Sequence, residues 1–145
     1  MMGPDDLRRR ILEVARAMAN AGLARGSSGN VSARTAGGIL ITASGIPYER
    51  LSAAQIIEID FDGKKRSGQG EPSSEWRMHA EIYRRRDDVA AIVHTHSPYA
   101  TAAAISLHFL PIVHDEGRIL FGDEIPVSRH APPCLLYTSP SPRDS

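Results

Sequence analysis

The sequence has little of what marks an extracellular, membrane or nucleic-acid-binding protein. Its one cysteine, Cys134, cannot form a disulfide within the chain. The 17 Lys and Arg balance the 17 Asp and Glu, so the basic field needed for non-specific nucleic-acid binding is missing. No apolar run approaches the roughly 18 residues of a membrane-spanning helix, and residues 1–6 lack a signal-peptide pattern. These absences predict a cytoplasmic protein with a small-molecule partner, no nucleic acid and no membrane.

What is present fits one α/β domain. A chain of 145 residues with 41% hydrophobic residues can bury one substantial core. Apolar residues at helical spacing predict a first helix over residues 7–19, and Gly37-Gly38 predicts a hairpin between strands 31–34 and 39–42. Later segments with strand or helix patterns lie at 56–60, 74–86, 89–93, 98–107, 110–113 and 124–127. The pattern predicts a mainly antiparallel sheet flanked by helices.

The last residues break this pattern. Residues 134–145 have no amphipathic period and end in alternating serine and proline, which is typical of a disordered or foreign tail. We therefore expect one domain over residues 1–133 followed by a non-native or disordered tail.

Two histidines mark the first candidate site. His94-Thr95-His96 ends the apolar run of residues 89–93, and side chains at i and i+2 of a strand share a face, so both imidazoles could bind one metal ion. Imidazole suits zinc, and a catalytic zinc usually has three protein ligands and one open position. The alternative is a buried histidine beside a strand-capping one.

Glu75, at the start of the helix that precedes this strand, could reach the same metal. A helix between two strands packs back across the sheet, which brings its first residue toward the end of the following strand. Glu75 could then act as a ligand or as a general base. The alternative is a glutamate that only interacts with the helix dipole.

Three segments rich in small residues could bind phosphate through backbone N–H groups and hydroxyls, namely Ser27 to Asn30, Thr42 to Gly45, and Ser73-Ser74. Each alone is more often an ordinary turn or helix cap. They would form a site only if the fold brought them together, and spacing alone does not decide this.

The motifs together resemble the class II aldolase/adducin family. The matching stretches are Gly26-Ser27-Ser28-Gly29-Asn30-Val31-Ser32, Ile41-Thr42-Ala43-Ser44-Gly45-Ile46-Pro47-Tyr48, Pro72-Ser73-Ser74-Glu75-Trp76-Arg77-Met78-His79 and Val93-His94-Thr95-His96. The resemblance implies a three-layer α/β/α domain with a mainly antiparallel central sheet, a homotetramer when full length, and one Zn²⁺ per subunit. It implies a zinc-dependent aldehyde-lyase that cleaves a phosphorylated ketose of the L-fuculose 1-phosphate type to dihydroxyacetone phosphate and an aldehyde.

The resemblance also implies roles for individual residues. Glu75 would be the catalytic acid/base and would approach the metal with the two histidine ligands, His94 and His96. The residues that match phosphate-binding positions are Ser27, Gly29, Asn30, Ser44, Gly45, Ser73 and Ser74.

Two positions depart from the family pattern. The family's third histidine ligand comes from a segment beyond the end of this chain, and the family's proton-donating tyrosine aligns with Asp115. We therefore expect a truncated chain that binds zinc weakly and has little activity. A phosphosugar epimerase or dehydratase, and a non-catalytic adducin-like interaction domain, stay as alternatives.

Overall fold

The computed structural model describes residues 3–128. This part of the chain divides after His96 into two compact units, which are described separately. The predicted tail, residues 134–145, lies outside the described residues, and the single domain over residues 1–133 stays a prediction. None of the helices in the described part combines the length and apolar character needed to cross a membrane.

The first unit is built on a five-stranded sheet in the order β4-β3-β2-β1-β5, and every neighbouring pair is antiparallel. Its strands are β1 Asn30–Thr35, β2 Gly38–Thr42, β3 Ile56–Ile59, β4 Lys65–Ser67 and β5 Ala91–His94. A 3-10 turn, Ala53–Gln55, precedes β3. The α/β class with a mainly antiparallel sheet is therefore confirmed.

Helix α1, Pro4–Asn20, packs against β1, β2 and β3. Pro4 suits the first turn, where its missing N–H has no helical partner in any case, and acidic Asp5 and Asp6 favour the positive end of the helix dipole. Ile11, Ala15 and Met18 recur at helical spacing and are buried in the main hydrophobic cluster. The predicted first helix is thus confirmed.

Helix α2, Trp76–Arg85, runs beside β1, whose alternate residues turn toward it. The buried residues His79, Ala80 and Tyr83 line one face of the helix. Arg34 donates to the carbonyl oxygens of Tyr83 and Arg86, at the C-terminal end of the helix, where backbone carbonyls lack helical partners. These bonds hold α2 in register with β1.

The second unit contains α3 Pro98–Ser106, β6 Phe109–Pro111, α4 Asp115–Phe121 and β7 Glu124–Pro126. The two strands form an antiparallel pair. The Ser97 side chain accepts from the Ala100 N–H, so it caps α3, and His114 caps α4 through the Gly117 N–H. The sequence pattern predicts neither helix α4 nor strand β4.

Candidate metal and phosphate site

Glu75, His94 and His96 meet at one end of the first unit. Each offers one ligand atom, and these atoms all lie within 4.8 Å of one another. Among residues 3–128 this is the only group of three or more such side chains. The two imidazole rings have centroids 5.0 Å apart and an interplanar angle of 49°.

The two histidines lie at the C-terminal end of β5. His94 is the last residue of the strand, and His96 lies just beyond it. The His96 N–H donates to the Leu23 carbonyl oxygen at 2.8 Å. The loop after α1 therefore positions His96.

Glu75 occupies the N-cap position of α2 but its side chain makes no capping hydrogen bond. The carboxylate instead accepts from Asn30 Nδ2 at 2.7 Å, and its Oε2 lies 3.0 Å from His94 Nδ1. Asn30 and His94 are directly paired across β1 and β5, so both side chains face α2. The arrangement does not support the alternative in which Glu75 serves only its own helix.

The donor set fits a metal ion such as zinc. His94 Nδ1 is buried and, although close to Glu75, makes no contact of hydrogen-bond geometry with any described residue. A buried ring nitrogen without a hydrogen-bond partner is costly unless another group satisfies it. Two imidazoles and a carboxylate are a ligand set that zinc accepts.

The three small-residue segments lie together at this end of the sheet. Ala43 and Pro72 form an isolated antiparallel bridge, with the Ser44 N–H donating to the Glu71 oxygen and the Ser73 N–H to the Thr42 oxygen. These bonds join the second and third segments. Among the seven predicted phosphate-binding residues, Asn30 and Ser73 are buried, Gly29 is half-buried, and four are exposed: Ser27, Ser44, Gly45 and Ser74.

Tyr48, three residues after the second segment, is hydrogen-bonded to the first segment. Its hydroxyl lies 3.0 Å from the Ser28 carbonyl oxygen and 2.7 Å from that of Gly29, to which it donates. Burial, reinforced by the negative charge of Glu75, raises the pKa of Tyr48 to about 12. Its proton therefore stays available for these bonds throughout the physiological range.

Gly29 is a position where only glycine fits. Its φ is 73°, in the left-handed region, and a Cβ atom placed there would lie 2.6 Å from the His94 carbonyl oxygen. A side chain would thus force apart the loop before β1 and the strand that carries His94. The close approach joins the first small-residue segment to the metal-site histidine.

A buried network next to Glu75 was not predicted from the sequence. His79 Nε2 lies 2.5 Å from Asn30 Oδ1, His79 Nδ1 lies 2.6 Å from Ser32 Oγ, and that oxygen lies 2.8 Å from the Tyr83 hydroxyl. Burial, with a smaller contribution from His94 and against the opposing charge of Glu75, lowers the pKa of His79 to about 4. The ring is therefore neutral near pH 7.

A signal for this network exists in the sequence. Polar residues occupy every second position of β1, at 30, 32 and 34, while residues 75, 79 and 83 recur at one-turn spacing on α2. Alternation marks a polar strand face, but it does not identify the helix that covers that face. Only the structure shows that α2 covers the polar face of β1.

His79 cannot be the third metal histidine, because both ring nitrogens already have side-chain partners. His114 Nδ1 accepts from the Gly117 N–H at the start of α4. His108 lies in the second unit, and His130 lies outside the described residues. Among the described residues, the metal cluster therefore contains no histidine besides His94 and His96.

The chain belongs to the class II aldolase and adducin family. The pattern of the Class II Aldolase and Adducin N-terminal domain matches residues 9–136, which is most of the chain. The resemblance inferred from the ordered motifs is therefore confirmed.

Several members of this family are similar along most of the chain. L-fuculose phosphate aldolase of Escherichia coli K12 is 40% identical over 130 residues, which cover 90% of this chain and 60% of that protein. The 5-methylthioribulose-1-phosphate/5-deoxyribulose-1-phosphate aldolase of Escherichia coli O45:K1 is 42% identical over 120 residues, covering 83% and 56% respectively. The chain thus spans less than two thirds of the length of these relatives.

Solved structures give the same result. An L-fuculose 1-phosphate aldolase aligns with a TM-score of 0.83 and 30% identity, covering 90% of this chain and 62% of that one. The L-fuculose-1-phosphate aldolase from Thermus thermophilus aligns with a TM-score of 0.73 and 33% identity, covering 83% and 61%. The fold is therefore that of the class II aldolases.

Proposed function

We propose that this chain supplies the metal and phosphate sites of a zinc-dependent aldolase. The enzyme would cleave a ketose 1-phosphate of the L-fuculose 1-phosphate type to dihydroxyacetone phosphate and an aldehyde. It would act as a cytoplasmic homotetramer. The observation that carries the proposal is the convergence of Glu75, His94 and His96 next to three glycine- and serine-rich segments.

In this proposal the metal site binds the reacting end of the substrate and the phosphate site binds the other end. His94, His96 and Glu75 would hold the ion, which when bound would act as a Lewis acid toward the ketose carbonyl and its neighbouring hydroxyl. Exposed backbone and hydroxyl groups around Ser44, Gly45 and Ser74 would bind the phosphate at the non-reacting end. Binding energy from the phosphate would thereby orient the reacting carbons.

Glu75 would move the proton. As the carbon–carbon bond breaks, the hydroxyl group on the aldehyde-forming carbon would lose its proton to water and become the aldehyde carbonyl. The electron pair of the broken bond would remain on the carbon of the phosphate-bearing fragment, and the Glu75 carboxyl group would protonate that carbon, so that one proton is lost and one is gained. In the reverse direction the carboxylate would remove the same proton. The Asn30 amide, which donates to Glu75 Oε2 at 2.7 Å, would orient the carboxylate for both steps. No lysine Schiff base is needed.

The substrate class follows from what the named relatives have in common. One relative is named for L-fuculose phosphate, and another for 5-methylthioribulose 1-phosphate and 5-deoxyribulose 1-phosphate. These names share a phosphorylated ketose and differ in the part that would become the aldehyde. We therefore propose a ketose 1-phosphate and leave the aldehyde side unspecified.

The test is formation of dihydroxyacetone phosphate. Because two histidines without a third should hold zinc weakly, the expected rate is low and the assay needs a high protein concentration with excess Zn²⁺. We would supply L-fuculose 1-phosphate or 5-deoxyribulose 1-phosphate and detect dihydroxyacetone phosphate through an NADH-consuming reductase. Glu75→Gln should reduce the rate by about 10²- to 10⁴-fold, the usual contribution of a positioned acid/base. The matched control is Glu71→Gln, the same change at an exposed glutamate four residues earlier, which should leave the rate unaltered.

Other products would contradict the proposal. An isomeric sugar phosphate would indicate an epimerase, and loss of water without carbon–carbon cleavage would indicate a dehydratase. A folded chain that neither binds Zn²⁺ nor transforms any of these substrates would favour a non-catalytic interaction domain. Equal rates for Glu75→Gln and Glu71→Gln would remove Glu75 from its proposed role.

A further inference from the structure

We propose that His79 is a positioning residue, which holds the Asn30 side-chain amide so that its N–H donates to Glu75. The inference rests on the proposed role of Glu75 as acid/base, and it adds His79, Ser32 and Tyr83 to the site as a buried support. His79 itself does not contact the metal cluster through its ring, whose two nitrogens are bonded to Asn30 and Ser32.

The direction of each hydrogen bond follows from Glu75. An ionised carboxylate only accepts, so Asn30 must present its NH₂ group to Glu75 and its Oδ1 to His79. Because an amide oxygen only accepts, His79 Nε2 must carry the ring proton. The neutral ring then has an unprotonated Nδ1.

The remaining bonds complete the same chain. An unprotonated Nδ1 accepts, so Ser32 Oγ must donate to it, which leaves the serine oxygen to accept from the Tyr83 hydroxyl. Each of these three side chains is fully buried: Ser32, His79 and Tyr83 are 0% exposed. Because water does not reach them, no other donor can replace a missing one.

The support acts by fixing which way the Asn30 amide faces. A carboxamide turned by half a rotation would place Oδ1 against the Glu75 carboxylate, where two acceptors repel each other. The His79 N–H makes that orientation unfavourable, because it would then face the Asn30 NH₂ group. His79 therefore selects the amide orientation in which Asn30 donates to Glu75.

Strand and helix spacing make the arrangement possible. Two residues along a strand advance about 6.6 Å, and one turn of four residues along a helix advances about 6 Å. The spacing of Asn30 and Ser32 along β1 therefore matches the spacing of Glu75, His79 and Tyr83 along α2. Each polar side chain of the strand can bridge two successive helix positions.

The first test is the protonation of the His79 ring. Long-range ¹H–¹⁵N NMR of the full 145-residue chain at pH 7 should show the proton of His79 on Nε2. A proton on Nδ1 would overturn the inference, since Nε2 could then no longer donate to Asn30. This readout needs no substrate and no enzymatic activity.

The second test compares two substitutions of different chemistry. His79→Leu removes the donor, whereas His79→Gln places an amide N–H near the position of Nε2. In His79→Leu the Asn30 side-chain N–H signals should lose their protection from solvent exchange, and in His79→Gln they should keep it. Equal loss in both variants would overturn the inference, because a purely packing role would not distinguish a donor from a methyl group.

The third readout is exchange of the reacting proton. With excess Zn²⁺ in D₂O, the chain should exchange a carbon-bound proton of dihydroxyacetone phosphate. His79→Leu should lower the maximal rate by about 10- to 100-fold with little change in KM, as is usual for groups that orient a ligand or base, and His79→Gln should restore most of it. If His79→Leu keeps the full rate while the wild type exchanges, the inference is wrong.

Failure of the proposed function would look different. A wild-type chain that is saturated with Zn²⁺ and still exchanges no proton of dihydroxyacetone phosphate, even at high protein concentration, would refute the aldolase proposal. The ring tautomer and the Asn30 amide signals would still decide whether His79 orients Asn30.

Discussion

On the sheet face that α2 covers, β1 and β2 lie side by side and carry opposite kinds of side chain. Ser32 is paired with Ile41, and Arg34 with Ile39, across the two strands. Ser32 and Ile41 are equally buried, at 0% exposure. Burial therefore does not distinguish the apolar strand from the polar one.

The difference lies in what each strand requires of its neighbours. Ile39 and Ile41 are paired with Ile59 and Ile57 of β3, so the apolar surface extends across both strands. Side chains packed on this half of the face need only a complementary shape. Ser32 needs a donor and an acceptor in fixed places, since a buried hydroxyl without partners costs about 1–3 kcal/mol. The apolar half stabilises the fold, and the polar half fixes the orientation of the groups next to Glu75.

The apolar half should show the largest effect on stability. Ile41→Ala removes a fully buried side chain and leaves a cavity, so we expect a loss of about 2–5 kcal/mol in the free energy of unfolding. Ile41→Val, the graded control, should cost about 0.5–1.5 kcal/mol. Urea unfolding followed by circular dichroism measures both.

The same variants test whether the two halves are separable. Folded Ile41→Ala should keep the proton of His79 on Nε2 and the Asn30 amide signals of the wild type. A changed tautomer in this variant would show that packing on β2 also controls the polar network. The two halves of the face would then not have separate roles.

The polar half should show a pH dependence that the apolar half lacks. Because burial lowers the pKa of His79 from 6.5 to about 4, the unfolded chain binds a proton at higher pH than the folded one. The stabilisation is fully present above pH 6.5 and is lost as the pH falls toward 4, with a total of about 3 kcal/mol. Stability measured from pH 7.5 to 4.5 should therefore fall more steeply in the wild type than in His79→Gln.

The measured quantity is the difference in the free energy of unfolding between the wild type and His79→Gln at each pH. All other titrating groups are common to both, so subtracting one profile from the other isolates His79. If the free energy of unfolding has the same pH dependence in both, His79 is as easily protonated in the folded chain as in the unfolded one. The ring would then not lie in a network that excludes water.

Sequence patterns sufficed for the elements with strong periodicity. Apolar spacing predicts α1 and α2, and a glycine pair predicts the β1–β2 hairpin, because these patterns follow from local geometry. Strand β4 was missed since Lys65–Ser67 is short, polar and at the sheet edge, where no burial pattern is imposed. Helix α4 is only seven residues long, and its pattern is too short to recognise.

The candidate site was predictable only in part. His94, His96 and Glu75 could be named from residue type and position, but their meeting depends on long-range pairing of β1 with β5 and on the loop at Leu23. The roles of the phosphate segments came from family resemblance rather than spacing. The support from His79 was not predicted, because an alternating polar strand does not reveal its partner helix.

The smallest effect should come from the far end of the polar network. Tyr83→Phe removes the hydroxyl that donates to Ser32 but keeps the ring, over which the Arg34 guanidinium lies 4.9 Å from the ring centroid. We expect a loss of about 1 kcal/mol in unfolding free energy, typical of one hydrogen bond. Ser32 can still donate to His79, so the tautomer and the exchange rate of dihydroxyacetone phosphate should change little. A loss of exchange as large as that of His79→Leu would instead mean that the hydrogen bonds from Tyr83 to Glu75 act as one cooperative unit.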